Sequence, residues 1–174
     1  MTTDLTGGLD QAREYLFGDC PPEDGMRDAV NMWVSDDRGE VGLPRFAVEA
    51  LAPGWDRHEL QVNVSLPGGR VLRLRGPHDS HPAIGPDGRA SVLGTGPLVF
   101  RCVEPFRTWT AEFNGTATET STEALIAGEP SGPDVNLAFT VYSGWERWFP
   151  VYPLYLAMLL ALAFALAATI ERLA

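Results

Sequence analysis

The segment 96–117 (GPLVFRCVEPFRTWTAEFNGTA) constrains the fold more than any other part of the chain. Apolar and polar side chains alternate in it with a period of two, first around Phe100 and then around Phe113. This period places successive side chains on opposite faces of a β-strand. Pro105 lacks the N–H that a sheet ladder needs, so it marks a turn. We therefore predict two strands joined at Pro105, the second of which ends at Gly115.

The same alternation recurs along the chain and predicts an all-β fold. In the clearest case, segments 58–66 and 70–76 form a hairpin around a Pro-Gly-Gly turn. Shorter alternating runs predict strands at 31–35, 42–49, 90–93 and 135–141. A short helix is predicted at 6–17, ahead of the strands. About seven or eight strands joined by turns rich in Gly and Pro favour an antiparallel sandwich or barrel.

The composition changes abruptly at Tyr142, where an aromatic linker leads into an uncharged Ala/Leu-rich run. As a helix, segment 151–170 would measure about 30 Å, enough to cross the hydrocarbon core of a bilayer. A buried helix is the alternative, but it would need protein on every side. We predict four parts: an N-terminal helix and linker (1–25), an antiparallel β domain (26–141), an aromatic linker (142–153) and a transmembrane helix (154–174). Because no secretory signal precedes it, the β domain is expected to be cytoplasmic, with one membrane pass near the C-terminus.

The charge balance and the missing motifs narrow the classes of function. A net charge of −10 and no basic stripe argue against nucleic-acid binding, which needs clustered cations. The chain contains no phosphate-binding loop, no GxSxG motif and no CxxC pair. We therefore predict neither a cofactor nor a metal. Cys102 lies on the apolar side of its strand and is expected to be a small buried hydrophobe.

Three carboxylate or imidazole side chains are the candidates for acid–base chemistry. Glu104 ends a strand beside Pro105, and it is either a partly desolvated acid or a partner of Arg101 or Arg107. His78 and Asp79 stand together in the segment GPHDSHP, where they suggest a general acid–base pair.

The alternative for GPHDSHP is a surface loop that turns at its two prolines. His81 adds a second imidazole, but the spacing of a zinc motif is missing. His58 opens a strand, and we interpret it as structural.

Aromatic side chains on the predicted strands are the candidates for binding an apolar ligand. The set consists of Trp33, Phe100, Trp109 and Phe113. Trp33 and Trp109 could line a ligand cavity, but a tryptophan in a β domain is more often part of the core. Both interpretations remain open at this point.

Three segments together resemble a known family: REYLFGDCPPEDGMRDAVNMWV, HELQVNVSLPGGRVLRLRG and GPLVFRCVEPFRTWTAEFNG. They are similar to the N-terminal half of carotenoid-hydratase-like (hydroxyneurosporene-synthase-like) proteins, over about residues 13–141. The resemblance implies a lipocalin-like β-barrel, the first of two in tandem, in which acidic and aromatic side chains protonate an alkene. The resemblance assigns these roles to Glu104 and Trp109. The second barrel has no counterpart after residue 141.

We expect a lipocalin-like antiparallel barrel, or a fragment of one, followed by one C-terminal hydrophobic helix. The first hypothesis is a membrane-tethered module that binds an apolar lipid- or terpenoid-like molecule. The second is a hydratase or isomerase that acts on an apolar polyene, with Glu104 or Asp79 as general acid. A truncated, non-functional relative is the third. The expected partners are membrane lipid and either a second β domain or a second copy, paired through a sheet edge.

Overall fold

The computed structural model describes residues 6–144, and most of them lie in one antiparallel β-sheet. The strands are β1 (Arg27–Ser35), β2 (Gly42–Leu51), β3 (Arg57–Leu66), β4 (Arg70–Asp79), β5 (Val92–Thr95), β6 (Leu98–Glu104), β7 (Thr108–Ser121) and β8 (Asp134–Gly144). The helices are α1 (Thr122–Ala127) and 3-10 turns at Gln11–Glu14, Ala52–Gly54 and Pro67–Gly69. The prediction of an all-β antiparallel fold is confirmed.

The long strand β7 holds the two halves of the sheet together. The strand order is β1-β2-β3-β4-β7-β6-β5, and β8 also pairs with β7. β7 pairs with β6 over 108–113 and with β4 over 118–121, while β8 runs beside 108–118. At the other end of β4, the buried Thr95 hydroxyl donates to the carbonyl of His78 at 2.8 Å. The sheet therefore curls into a barrel-like arrangement.

An apolar core fills the inside of the curled sheet. Phe46 of β2 stacks on Phe100 of β6, with ring centroids 5.7 Å apart. Phe46 also contacts Phe139 of β8 edge-on at 5.5 Å, and Phe139 stacks on Phe113 of β7. The fully buried aliphatic side chains around these rings are Val48, Leu60, Val62 and Leu98. Each buried side chain of this size contributes about 1.5–3 kcal/mol to stability.

The two outer strands β1 and β8 are less well covered than the rest. Within residues 6–144, no ladder joins β1 to β8. Their inward-facing apolar side chains pack on the core but are only partly buried. We call this set the apolar edge faces, and it consists of Val30, Met32 and Val34 on β1 and Val135, Leu137, Phe139 and Val141 on β8. The inside of the sheet is therefore more accessible along its outer strands than at β2 and β3.

The predicted hairpin is confirmed, with β3 and β4 as its strands and the turn at Pro67–Gly69. The turn at Pro105 is also confirmed, because it separates β6 from β7. The predicted end of β7 at Gly115 is wrong, since the strand continues to Ser121. Gly115 does not end the strand; it lets the Pro97 side chain pack closely against the backbone of β7. A Cβ at this position would lie 2.6 Å from Cβ of Pro97.

The predicted helix at 6–17 is also wrong, because only the 3-10 turn Gln11–Glu14 forms. The backbone donors that follow this turn bond to other elements instead of to the preceding turn. The N–H of Leu16 donates to the carbonyl of Ala90, and that of Phe17 to the Asp28 carboxylate.

The predicted transmembrane helix at 154–174 lies outside the described residues. Among residues 6–144, the structure contains no helix with the length and apolar character needed to cross a membrane. The last described strand, β8, ends at Gly144.

Candidate functional site

Three of the four aromatic side chains predicted to bind a ligand lie together inside the sheet. Phe100, Phe113 and Trp109 are buried on the inner face of the neighbouring strands β6 and β7. Trp33 is not with them. It points away from the inward-facing Met32 and Val34, and 69% of it is exposed.

Glu104 lies at the end of β6 in contact with solvent. Its carboxylate forms an ion pair with Arg107 at 3.2 Å, and about half of each side chain is exposed (52% and 48%). Of the two alternatives for this residue, the pairing with arginine is the one that the structure contains. A general-acid role for Glu104 inside the barrel would need a ligand that reaches this outer position.

The side chains of GPHDSHP contact the backbone at the end of β4. Nδ1 of His78 lies 3.2 Å from the carbonyl oxygen of Gly76, and Nε2 of His81 lies 2.8 Å from that of Gly96. The Asp79 side chain is exposed. His81 therefore contacts the β5–β6 turn, whereas His78 contacts the backbone of its own strand β4. In the described part of the chain, no three His, Cys, Asp or Glu side chains are grouped so as to hold a metal ion.

A segment that sequence reasoning did not single out lies over one end of the sheet. We call residues 10–18 the N-terminal strap. Oε1 of Glu14 accepts a hydrogen bond from Nε1 of Trp109 at 2.7 Å, and Phe17 N–H donates to Asp28 at the same distance. Tyr15 lies under the Arg89 guanidinium, 5.3 Å from its ring centroid, and accepts a hydrogen bond from it. The strap is therefore fixed where β1 and β7 begin.

His58 lies at the same end, on the inner face of β3. It continues the inward stripe of Leu60, Val62 and Val64, and only 5% of it is exposed. Neither ring nitrogen has a hydrogen-bond partner among residues 6–144. The Trp55 ring contacts it edge-on, with centroids 5.7 Å apart.

The surroundings of His58 keep it uncharged at neutral pH. Burial lowers the pKa of its imidazole below the usual 6.5. The carbonyls of Trp55 and Gly94 and the charge of Asp28 oppose this shift more weakly, although neither carbonyl reaches hydrogen-bond geometry with the ring. Burial also raises the pKa of the Cys102 thiol, to about 11, with a smaller contribution from the charge of Glu14.

We call Glu14, Asp28 and His58 the polar end cluster. It places a neutral imidazole and two carboxylates at the end of an apolar interior. A neutral imidazole offers one donor and one acceptor, whereas the carboxylates disfavour any further negative charge nearby. This arrangement suits an uncharged polar group better than an anion.

No protein-family model matches the sequence, and no curated protein or solved structure is significantly similar to it. What the site can do therefore follows from the chemistry of its own side chains.

Sequence reasoning missed Glu14 and Asp28, because nothing local shows that the strap reaches β1 and β7. His58 was interpreted as structural, although one signal was visible. It is the single polar residue in an alternating inward set whose other members are Leu60, Val62 and Val64.

Proposed function

We propose that the β domain binds an apolar, lipid- or terpenoid-like small molecule against the inner side of a lipocalin-like barrel. The observation that carries the proposal is the incomplete burial of the apolar edge faces. Apolar area removed from water is worth roughly 25 cal/mol per Å². A ligand that covered these side chains would remove their exposed apolar area from water, and this burial would favour binding. Small barrels can hold one such ligand.

Two features of the sequence support this ligand class. The resemblance to carotenoid-hydratase-like proteins agrees with an apolar, polyene-like molecule. The uncharged run at 151–170 would tether the domain to a bilayer, where such molecules concentrate. We propose the relationship to carotenoid-hydratase-like proteins and the membrane tether as parts of the same function.

Binding is favoured over the hydratase or isomerase hypothesis by the positions of the predicted acids. Glu104 and Asp79 both lie in solvent, and Glu104 is paired with Arg107. A general acid for an apolar alkene needs a position beside the buried ligand. Substitution Glu104→Gln separates the two hypotheses, since it should leave ligand retention intact and would abolish turnover only in an enzyme that uses this acid.

The test is native mass spectrometry of the full-length chain, extracted in mild detergent from its own host. We expect a retained apolar molecule, and we expect Leu137→Lys to lose it, because the new charge stands on an apolar edge face. Ala138→Lys is the matched control: it adds the same charge to the next residue of β8, on the exposed face. An empty wild-type protein, or equal retention in the two variants, would contradict the proposal.

A further inference from the structure

His58 carries an unmet hydrogen-bonding capacity in an otherwise apolar place. Only 5% of it is exposed, and neither ring nitrogen has a partner in hydrogen-bond geometry among the described residues, although the carbonyls of Trp55 and Gly94 lie nearby. A buried polar group without a partner destabilises the folded state, so native proteins contain few of them. Phe at this position would avoid the cost and would suit the apolar stripe of β3. The cost calls for a partner from outside residues 6–144, and a bound ligand can supply one.

The neighbours of His58 define what that partner can be. Leu60 and Val62 continue from it along the inner face but are fully buried by the chain itself, so the apolar part of a ligand would lie along the apolar edge faces instead. The negative charges of Asp28 and Glu14 at the same end disfavour an anionic head group. A cationic ammonium head group would be attracted by these carboxylates, but it can only donate to the ring, whereas a hydroxyl can donate or accept. It would also lose its own hydration.

An uncharged hydroxyl group fits these conditions. It can donate to the unprotonated ring nitrogen or accept from the protonated one, which matches the two capacities of neutral imidazole. We propose that His58 anchors the ligand through an uncharged hydroxyl, so that the preferred ligand is an apolar alcohol. This inference rests on the proposed function and names the head group of its ligand.

The test compares two matched polyene probes, retinol and retinoate, which differ in their head group. Their affinities are measured by fluorescence titration of the full-length protein in one mild detergent. Variants are compared by the ratio of retinol affinity to retinoate affinity. Each probe partitions into the detergent equally with every variant, so partitioning cancels when these ratios are compared. We expect wild type to prefer retinol. In His58→Phe the ratio should fall about twofold to twelvefold, the worth of one net hydrogen bond.

Two further variants sharpen the comparison. His58→Gln keeps a donor and an acceptor, so it should retain most of the preference for the alcohol. Gln61→Ala is the control, because Gln61 belongs to the outward-facing set on β3. Its ratio of retinol affinity to retinoate affinity should equal that of wild type. A ratio that is unchanged in His58→Phe, with both probes still bound, would overturn the hydroxyl assignment and leave the proposed function standing. Failure of wild type to bind either probe would overturn both.

A second measurement needs no variant and covers the case in which His58→Phe does not fold. The chain has only 3 histidines, so their ring nitrogens can be assigned by 15N NMR of labelled protein. Retinol should shift the ring nitrogens of His58 and leave those of His78 and His81 in place. Bound retinol without a shift at His58 would overturn the assignment.

Discussion

Replacing Phe100 tests whether the interior described above holds the fold together. Phe100 is 0% exposed, stacks on Phe46 and belongs to β6, which lies between β5 and β7. Substitution Phe100→Ala removes a ring from a closely packed site that can collapse only partly. The expected loss is about 3–5 kcal/mol, a large part of the stability of an ordinary domain, which is about 5–15 kcal/mol. For a chain of 174 residues this corresponds to a fall in Tm of about 6–20 °C.

Trp33→Ala is the matched control, because it removes an even larger aromatic group from the outer face of β1. Trp33 is 69% exposed, so its loss should change stability by no more than about 0.5 kcal/mol. Both variants are compared with wild type by scanning calorimetry of the full-length chain in the same detergent. Phe100→Leu, which leaves a smaller cavity, should fall between wild type and Phe100→Ala. Equal shifts for Phe100→Ala and Trp33→Ala would refute the assignment of inner and outer faces.

Three further predictions follow from the titratable groups and the sheet edges. Because burial lowers the pKa of His58 in the folded state, the unfolded chain takes up its proton first, and stability should fall as pH drops below about 6.5. Urea unfolding should show a smaller fall in His58→Phe, and an identical pH profile would contradict the burial of this ring. Because the pKa of Cys102 is raised from 9.0 to about 11, stability should fall as pH rises through this window. Cys102→Ala should show a smaller fall over this range, and an equal fall in that variant would contradict the burial of the thiol. Finally, the uninterrupted edge of β8 should pair with a second copy, and a monomer at every concentration in native mass spectrometry would count against this.

Local alternation is enough to predict the strands whose pairing is also local. β3 and β4 meet through a three-residue turn, and each buries one alternating set, so the hairpin at 58–76 follows from the sequence. The same holds for β6 and β7 around Pro105. The buried state of Phe100, Phe113 and Cys102 follows from the same alternation.

Features that depend on distant parts of the chain could not be predicted in this way. Gly115 looks like a strand terminator until Pro97 is placed against it, eighteen positions earlier. Helical spacing at 6–17 indicates a helix, but tertiary hydrogen bonds to Ala90 and Asp28 override it. Glu14 and Trp109 are ninety-five positions apart, and their contact brings the strap to the site.

The end of the sheet that holds the polar end cluster is also the end at which β8 finishes. Gly144, the last residue of β8, pairs with Thr108, the first residue of β7, next to Trp109. In the sequence, the uncharged run at 151–170 begins seven positions after Gly144. If that run tethers the domain to a bilayer, a ligand that leaves the bilayer would reach the domain beside the strap and would enter with its apolar part first. Its hydroxyl would then come to rest at His58, between the apolar interior and the polar lipid surface. An anionic amphiphile would instead meet Asp28 and Glu14 at the entrance, so the same carboxylates that fix the strap would also select the ligand.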